Sequence, residues 1–288
     1  MIAIIGGVAG FIGAIISAML VWRWLDARAA GHVWRELGTY PAVNTGTFAL
    51  SMLDGLPEAA QQYFRYTIKP GTPLYTAVEL EMTGELGFGD KADPKYAPMR
   101  AKQILASPFG LVWKLNCGAV SGSDAATPSR SWTRFWLFNV IPIVRVGGNA
   151  DHLQSAFGRV IAESAFWAPA SLLPNEYVQW EQLAPSTARA TVTQGDFVQS
   201  IEITMREDGQ PISVKINRWS NANVDKEYRS QPFGGYLSEY REFNGYRLPT
   251  NVVGGNHIGT NDYFPFYKAR ITDMCWLTGP DGAEKDSI

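Results

Sequence analysis

The chain has 288 residues, 46% of them hydrophobic and 18% charged, with 28 Gly, 17 Pro, 10 Trp and 3 His; that apolar share excludes a disordered chain and points to a packed core. Its 25 Lys and Arg against 27 Asp and Glu leave a formal net charge of −2 with no long run of either sign, which lacks the basic footprint of phosphate-backbone binding and excludes nucleic acid as a partner. Two cysteines, Cys117 and Cys275, are too few for a disulfide framework or a thiolate metal cage, although in an oxidising compartment they would be able to pair.

Residues Ile2 to Trp22 carry no charged side chain and are mostly Ile, Ala, Gly, Val and Leu, which meets the requirement of about 20 apolar residues to cross a hydrocarbon core of about 30 Å. The pattern predicts a single transmembrane helix over residues 1–24. A cleaved signal peptide would want a positive n-region and a shorter apolar stretch; no Lys or Arg precedes the span, and Ala27-Arg28-Ala29 is a weak cleavage site, so retention is expected. Small residues at Gly6, Gly10, Ala14 and Ala18 recur every four positions, with Gly13 and Ser17 beside them, forming a close-packing face on one side of the helix. The plain reading is that small residues are common in membrane helices; the functional reading is docking against another membrane helix. Arg23, Arg28 and Arg35 follow the span and none precedes it, so the positive-inside rule predicts the N-terminus outside and the domain on the cytoplasmic side, with Trp22, Trp24 and Trp34 at or beyond that interface as an aromatic belt.

Residues 25–44 read as a juxtamembrane connection, residues 45–278 as one β-rich globular domain and residues 279–288 as a flexible tail. A short helix starts at Leu56-Pro57-Glu58 and runs through Gln61, Tyr63 and Phe64 until Lys69-Pro70-Gly71 stops it. The period then changes to two: Val78, Leu80, Met82, Leu86 and Phe88 alternate with Glu79, Glu81, Thr83 and Glu85, which predicts a half-buried antiparallel strand. Similar runs occur at Leu111 to Leu115, Arg189 to Val192, Val198 to Met205, Ile212 to Ile216 and Ala269 to Trp276, with turn signals at Glu207-Asp208-Gly209 and Phe243-Asn244-Gly245. One longer helix interrupts them, since Leu153, Ala156, Phe157, Val160, Ile161, Ser164 and Ala165 share one face, with Asp151 placed to cap it and Pro169 to end it. Phe166 to Pro174 is apolar but broken by prolines, and reads as a loop covering the core. The expected fold class is mainly β (α+β): a single transmembrane helix, then a large curved antiparallel sheet with a few flanking helices.

Several stretches resemble a bacterial family of unknown function whose members carry an N-terminal hydrophobic segment and a curved antiparallel sheet similar to lipoprotein carriers of the LolA/LolB type. They are Leu56-Pro57 with Gln62-Tyr63-Phe64-Arg65-Tyr66, Glu163 to Trp167 with Leu172-Leu173-Pro174 and Trp180-Glu181, Gly234 to Arg241, Leu248-Pro249-Thr250, and Phe264-Pro265-Phe266-Tyr267. The resemblance spans most of residues 50 to 277 and implies the fold, with apolar-ligand binding on the concave face by analogy only.

The residues carry little overt chemistry. His32, His152 and His257 lie more than 100 residues apart, without metal-ligand spacing. His257, in Gly254-Gly255-Asn256-His257, is the best placed for acid–base work, against the blander reading of a loop histidine. The pairs Gly147-Gly148, Gly234-Gly235 and Gly254-Gly255 read as strand-end turns rather than phosphate loops, and Gly118 to Gly122 misses the nucleophile elbow, with Ser121-Gly122-Ser123 reading as a loop. Glu163 follows Arg159 by four residues, so it is either a surface pair of small consequence or a carboxylate facing a cavity, given its apolar neighbours Phe166 and Trp167. Phe157, Glu163, Phe166 and Trp167 are therefore the candidate cavity lining. The 36 aromatic residues fill a large core by default, or line a lipid-sized cavity.

No catalytic, cofactor or metal residues are expected. The leading expectation is a membrane-anchored, non-enzymatic accessory subunit of a larger integral-membrane complex, with respiratory and photosynthetic complexes as the hosts in view. Gly6, Gly10, Gly13, Ala14, Ser17 and Ala18 would be its intramembrane contact, and membrane subunits and lipids its partners. The alternative is a lipid- or lipoprotein-binding module with an apolar cavity in the curved sheet. An enzyme ranks last, because no convergent polar cleft is legible.

Overall fold

A computed structural model of the chain describes residues 2–40 and 45–277, with side chains from residue 6 onward; the expected tail at 279–288 lies outside the described residues. Helix α1 (Ile2–Leu37) precedes a 3-10 turn (Leu50–Leu53) and helix α2 (Glu58–Thr67). Six strands follow: β1 (Ala77–Gly87), β2 (Tyr96–Ala106), β3 (Gly110–Cys117), β4 (Val120–Ala126), β5 (Ser131–Leu137) and β6 (Ile141–Gly147). After helix α3 (Ala150–Trp167) and a second 3-10 turn (Pro169–Leu172) come β7 (Val178–Ala184), β8 (Thr187–Gln194), β9 (Phe197–Met205), β10 (Pro211–Ser220), β11 (Arg229–Phe243), β12 (Tyr246–Asn256) and β13 (Phe264–Leu277).

All strands join one curved antiparallel sheet in the order β6-β5-β4-β3-β2-β1-β13-β12-β11-β10-β9-β8-β7. It consists of two meanders laid side by side through the β1–β13 ladder, which pairs Ala77 with Leu277 and Leu86 with Tyr267. Helix α3 connects the two outermost strands, β6 and β7, and so has to cross the concave face. The fold class expected from the sequence is the one observed.

The period-two run in β1 turns Val78, Leu80 and Met82 into the concave core, while Glu79 and Glu81 face outward. That core packs Phe157, Val160 and Ile161 of α3 and Tyr63 and Phe64 of α2 against the sheet. Tyr63 donates its hydroxyl to Ala165 O at 2.8 Å, closing one end of the concave side. Phe166 to Leu173 covers this end of the core as its apolar, proline-broken sequence suggested, but as the last residues of α3 and a 3-10 turn rather than as a loop.

The convex face carries a second core. Ala30, Val33 and Leu37 of α1 bury themselves against Ile104, Ala106, Val112, Ala125 and Trp132, so residues 25–37, expected as a connection, continue the helix and dock on the sheet. Strand β3 is consequently covered on both faces: Trp113 and Leu115 point inward and Val112 outward. Trp34 of α1 donates to Glu79 Oε1 at 2.7 Å, and Asp26 ties the helix to the outer strands. Its carboxylate accepts from Arg134 Nη1 at 3.0 Å, Trp136 Nε1 at 3.0 Å, and Arg145 Nη1 and Nη2 at 2.5 and 3.2 Å. Burial raises the carboxyl's pKa, but Arg145, Trp136 and Arg134 outweigh it and hold Asp26 below the usual carboxylate range.

Four local expectations are corrected. Asn149, not Asp151, caps α3, accepting from His152 N at 2.8 Å; Asp151 instead accepts from Trp219 Nε1 at 2.8 Å. Gly234-Gly235 and Gly254-Gly255 are not turns but mid-strand partners, pairing 234 with 255 and 235 with 254. Ser121-Gly122-Ser123 lies inside β4. Cys117 and Cys275 sit on β3 and β13, three strand positions apart, which at about 4.8 Å per strand is too far for a disulfide. The Asn244-Gly245 turn forms as expected, with both residues at positive φ between the paired Phe243 and Tyr246.

Candidate functional site

Between α3 and the concave face lies a cavity of about 340 Å3. Its walls are apolar and come from segments remote in sequence: Leu86 from the end of β1 and Phe88 just after it, Trp113 from β3, Phe135 from β5, Val144 from β6, Phe233 from β11 and Phe266 from β13. Gly254 also lines it, and a Cβ built there would meet its nearest atom at 3.5 Å, so the missing side chain widens the space.

The floor is charged and almost dry. Arg159 of α3 gives Nη1 to Asp124 Oδ2 at 2.7 Å, Nε to Glu163 Oε1 at 2.6 Å and Nη2 to Gln103 Oε1 at 3.2 Å. Gln103 Nε2 returns to Glu163 Oε2 at 2.5 Å. Only 12% of the Arg159 side chain and 10% of the Glu163 side chain is exposed, so this is a buried network whose members need one another. Burial pulls the Arg159 pKa down, but Glu163 and Asp124 more than reverse that and lock in its positive charge. Thr133 extends the network, donating to Asp124 Oδ1 at 3.0 Å and lying 3.2 Å from His152 Nε2, while His152 Nδ1 lies 2.7 Å from Ser131 Oγ. Burial lowers the His152 pKa below its ordinary value.

A second guanidinium, Arg218 of β10, also faces the cavity. Its Nε donates to Ser155 O at 3.0 Å and its plane lies over the Phe233 ring at 4.7 Å. Burial and the nearby charge of Arg159 bring its pKa down to about 10, so Arg218 remains a cation near neutral pH. The cavity thus combines an apolar barrel of side chains with a polar end that carries both signs of charge.

Of the residues singled out from sequence, Glu163 faces this cavity, and its pairing with Arg159 is a buried one rather than a surface one. Phe157 does not line it. Six residues earlier on α3, it points elsewhere around the helix and packs on Phe197 at a centroid distance of 5.6 Å. Phe166 and Trp167 share the Glu163 side of α3 but sit one turn further on, where the α2 end of the core fills the concave face; both are buried in that core. Asp124, Gln103, Arg218, Trp113 and Tyr267 carried no local signal, because each belongs to a different strand.

His257 adopts a left-handed backbone just after β12. Among the described residues no group of His, Cys, Asp and Glu gathers to hold a metal ion. Gly6, Gly10, Gly13, Ala14, Ser17 and Ala18 lie on the exposed part of α1, and Cβ atoms built on its glycines would meet open space. That part of α1 is long and apolar enough to cross a membrane.

Fold and site define a class: an open, curved antiparallel sheet wrapped around one helix, with an apolar cavity on a buried charged floor. Residues 46–269 match a Family of unknown function (DUF6544), and the chain belongs to that family. No curated protein matches it in sequence. Among solved structures it is similar to a domain from Vibrio parahaemolyticus described as an outer membrane lipoprotein-sorting protein, at 11% identity and a TM-score of 0.39 over 78% of this chain and 93% of that one. It is also similar to a LolA superfamily protein from Nitrosomonas europaea, at 11% identity and a TM-score of 0.38 over 80% of this chain and 93% of that one.

Proposed function

We propose that the protein is a membrane-anchored binding module that holds an apolar or amphipathic small molecule, with a lipid acyl chain as the chemical class, in the concave cavity. The observation that carries this reading is the cavity itself, about 340 Å3 with aromatic and aliphatic walls, which falls within the range of small-molecule sites. Each methylene that leaves water for such a space gains about 0.8 kcal/mol, so the walls select chain length and the charged floor selects the head. The reading is one of binding rather than catalysis.

The anchor is α1. Val8, Phe11, Ile12, Ile15, Ile16 and Leu20 are exposed along it, a surface that hydrocarbon covers at least cost. Its second half is part of the domain, and cleavage at Ala27 to Ala29 would remove Asp26 and leave Arg134 and Arg145 without their carboxylate, which favours a retained helix over a signal sequence. Arg23, Arg28 and Arg35 after the span favour a cytoplasmic domain on a bacterial inner membrane. The accessory-subunit reading has only the small-residue face of α1 behind it, and the cavity favours the binding module.

The test is purification of the full-length protein in mild detergent through a C-terminal tag, with co-purifying proteins and extracted lipids identified by mass spectrometry. A reproducible lipid on the wild type, lost in Gly254→Phe with an unchanged melting temperature, is the expected result. A stoichiometric set of membrane subunits without a retained lipid would replace the binding module with the accessory subunit.

A further inference from the structure

A second open site lies on the convex side, where α1 meets β5 and β6. This groove of about 660 Å3 is lined by Leu25, Arg28, His32, Arg130, Arg134 and Arg145 among others. Four guanidiniums face two carboxylates there. Asp26 serves Arg134 and Arg145, while Glu36 serves Arg130 and lies 3.8 Å from His32. The four hydrogen bonds on Asp26 fill the acceptor sites of its two oxygens. Arg28 has an aromatic neighbour instead of an acid, its guanidinium lying 5.3 Å from the Trp24 ring centroid. The groove is therefore two positive charges in excess.

Two independent features set its height relative to a bilayer. The apolar, exposed run of α1 ends at Leu25, and at about 1.5 Å per residue Arg28 lies about 6 Å beyond Trp24, within the depth of one headgroup layer. The β5–β6 hairpin tip sits at the same level, because Arg23 Nε donates to Asn139 Oδ1 at 3.2 Å and Arg145 lies 4.3 Å from the Trp22 ring centroid. That tip carries Phe138, 69% exposed, and Ile141, 52% exposed, two apolar side chains that the acyl region would cover.

We propose that this groove binds the phosphate of an anionic phospholipid in the leaflet where α1 leaves the bilayer, with Arg28, Arg134 and Arg145 on the phosphate and Phe138 beside the acyl chains. Arginine suits the task because its planar fork offers several donors to phosphate oxygens at once. The proposal rests on the reading of α1 as a membrane anchor, and it is independent of the concave cavity.

The test uses the full-length protein in detergent with added dioleoyl phosphatidylglycerol, dioleoyl phosphatidylcholine or inorganic phosphate, and native mass spectrometry to count retained lipid. Phosphatidylglycerol is expected to be retained at least about tenfold better than phosphatidylcholine, and Arg28→Gln to remove most of that preference without moving the melting temperature; Phe138→Ser is expected to weaken retention of both lipids. Equal retention of the two lipids, or an Arg28→Gln protein that keeps the preference, would overturn the groove. Inorganic phosphate that displaces the phosphatidylglycerol at equal concentration would make it a site for a free anion instead. Flotation of the wild type with phosphatidylcholine vesicles is read separately, so that loss of the anchor is distinguished from loss of the headgroup site.

Discussion

Asp26 is a single carboxylate on which the attachment of α1 to the sheet converges, since two arginines and the Trp136 indole all donate to it. Its side chain is 6% exposed, whereas those of Arg134 and Arg145 are 28% and 29% exposed, so water partly compensates the cations but not the anion. Breaking such a pair costs about 3 kcal/mol, at the low end of the range for buried ion pairs because of that compensation. Asp26→Asn is accordingly expected to lower stability by about 3 kcal/mol, read as a shift in the urea midpoint with an unchanged slope. The pH dependence has a definite sign. The folded protein holds the Asp26 pKa below the ordinary value of 3.8, so the carboxylate's contribution is complete above that value and is lost as the pH falls through the folded pKa. Urea titrations between pH 6 and 2.5 should show the wild type and Asp26→Asn converging at the acid end; a gap that stays constant would remove the carboxylate from this role.

At the scale of the elements, β11 and β12 show what was readable and what was not. The Asn244-Gly245 hairpin is plain in sequence because a type of turn with two positive φ angles has few residues to choose from. The glycine pairs flanking it carry the same residue type but a different purpose. A Cβ on Gly255 would come within 1.8 Å of Phe264 O, and one on Gly234 within 2.0 Å of Val214 O, whereas one on Gly254 has its nearest neighbour at 3.5 Å. Glycine thus reports backbone freedom in the one case and close approach of strands in the other, and sequence alone does not separate them. Gly255→Ala is expected to cost about 1 to 3 kcal/mol, as overpacking does, and Gly254→Ala close to nothing; thermal melts of the two variants side by side check this. The strands with clean alternation, β1, β9 and β13, were legible because one face of each is wet. Strands β4, rich in small polar residues, and β11, interrupted by Pro232 and two glycines, hide their alternation. The cavity shared that fate: Arg159 and Glu163 are neighbours on one helix and could be paired by spacing, while Asp124, Gln103 and Arg218 reach the same point from β4, β2 and β10.

The whole molecule uses its sheet twice. The concave face receives α3 and α2 and leaves a cavity beside them; the convex face receives the second half of α1. The N-terminal helix is therefore two devices in one: an exposed apolar stretch up to about residue 25, and a docking stretch that begins at Asp26 and buries Ala30, Val33 and Leu37. Its 36 residues measure about 54 Å, longer than the hydrocarbon thickness of about 30 Å, and the part beyond residue 25 reaches the sheet. This division makes the two halves separable by truncation. Removal of residues 1–24 takes away the exposed apolar stretch together with the Trp22 contacts to Trp136 and Arg145 and the Arg23–Asn139 hydrogen bond, and is expected to release a soluble protein that melts slightly below the full-length temperature. Removal of residues 1–37 uncovers Ile104, Val112 and Trp132 and strips Arg134 and Arg145 of Asp26; exposed apolar surface and uncompensated cations then act together, and the product should aggregate or melt at least 10 °C lower, at about 2 to 4 °C per kcal/mol for a domain of this size. Differential scanning fluorimetry of both truncations, with size-exclusion chromatography for aggregation, decides the matter: equal melting temperatures for the two would mean that α1 is an anchor alone and that its contact with the convex face contributes nothing to the fold.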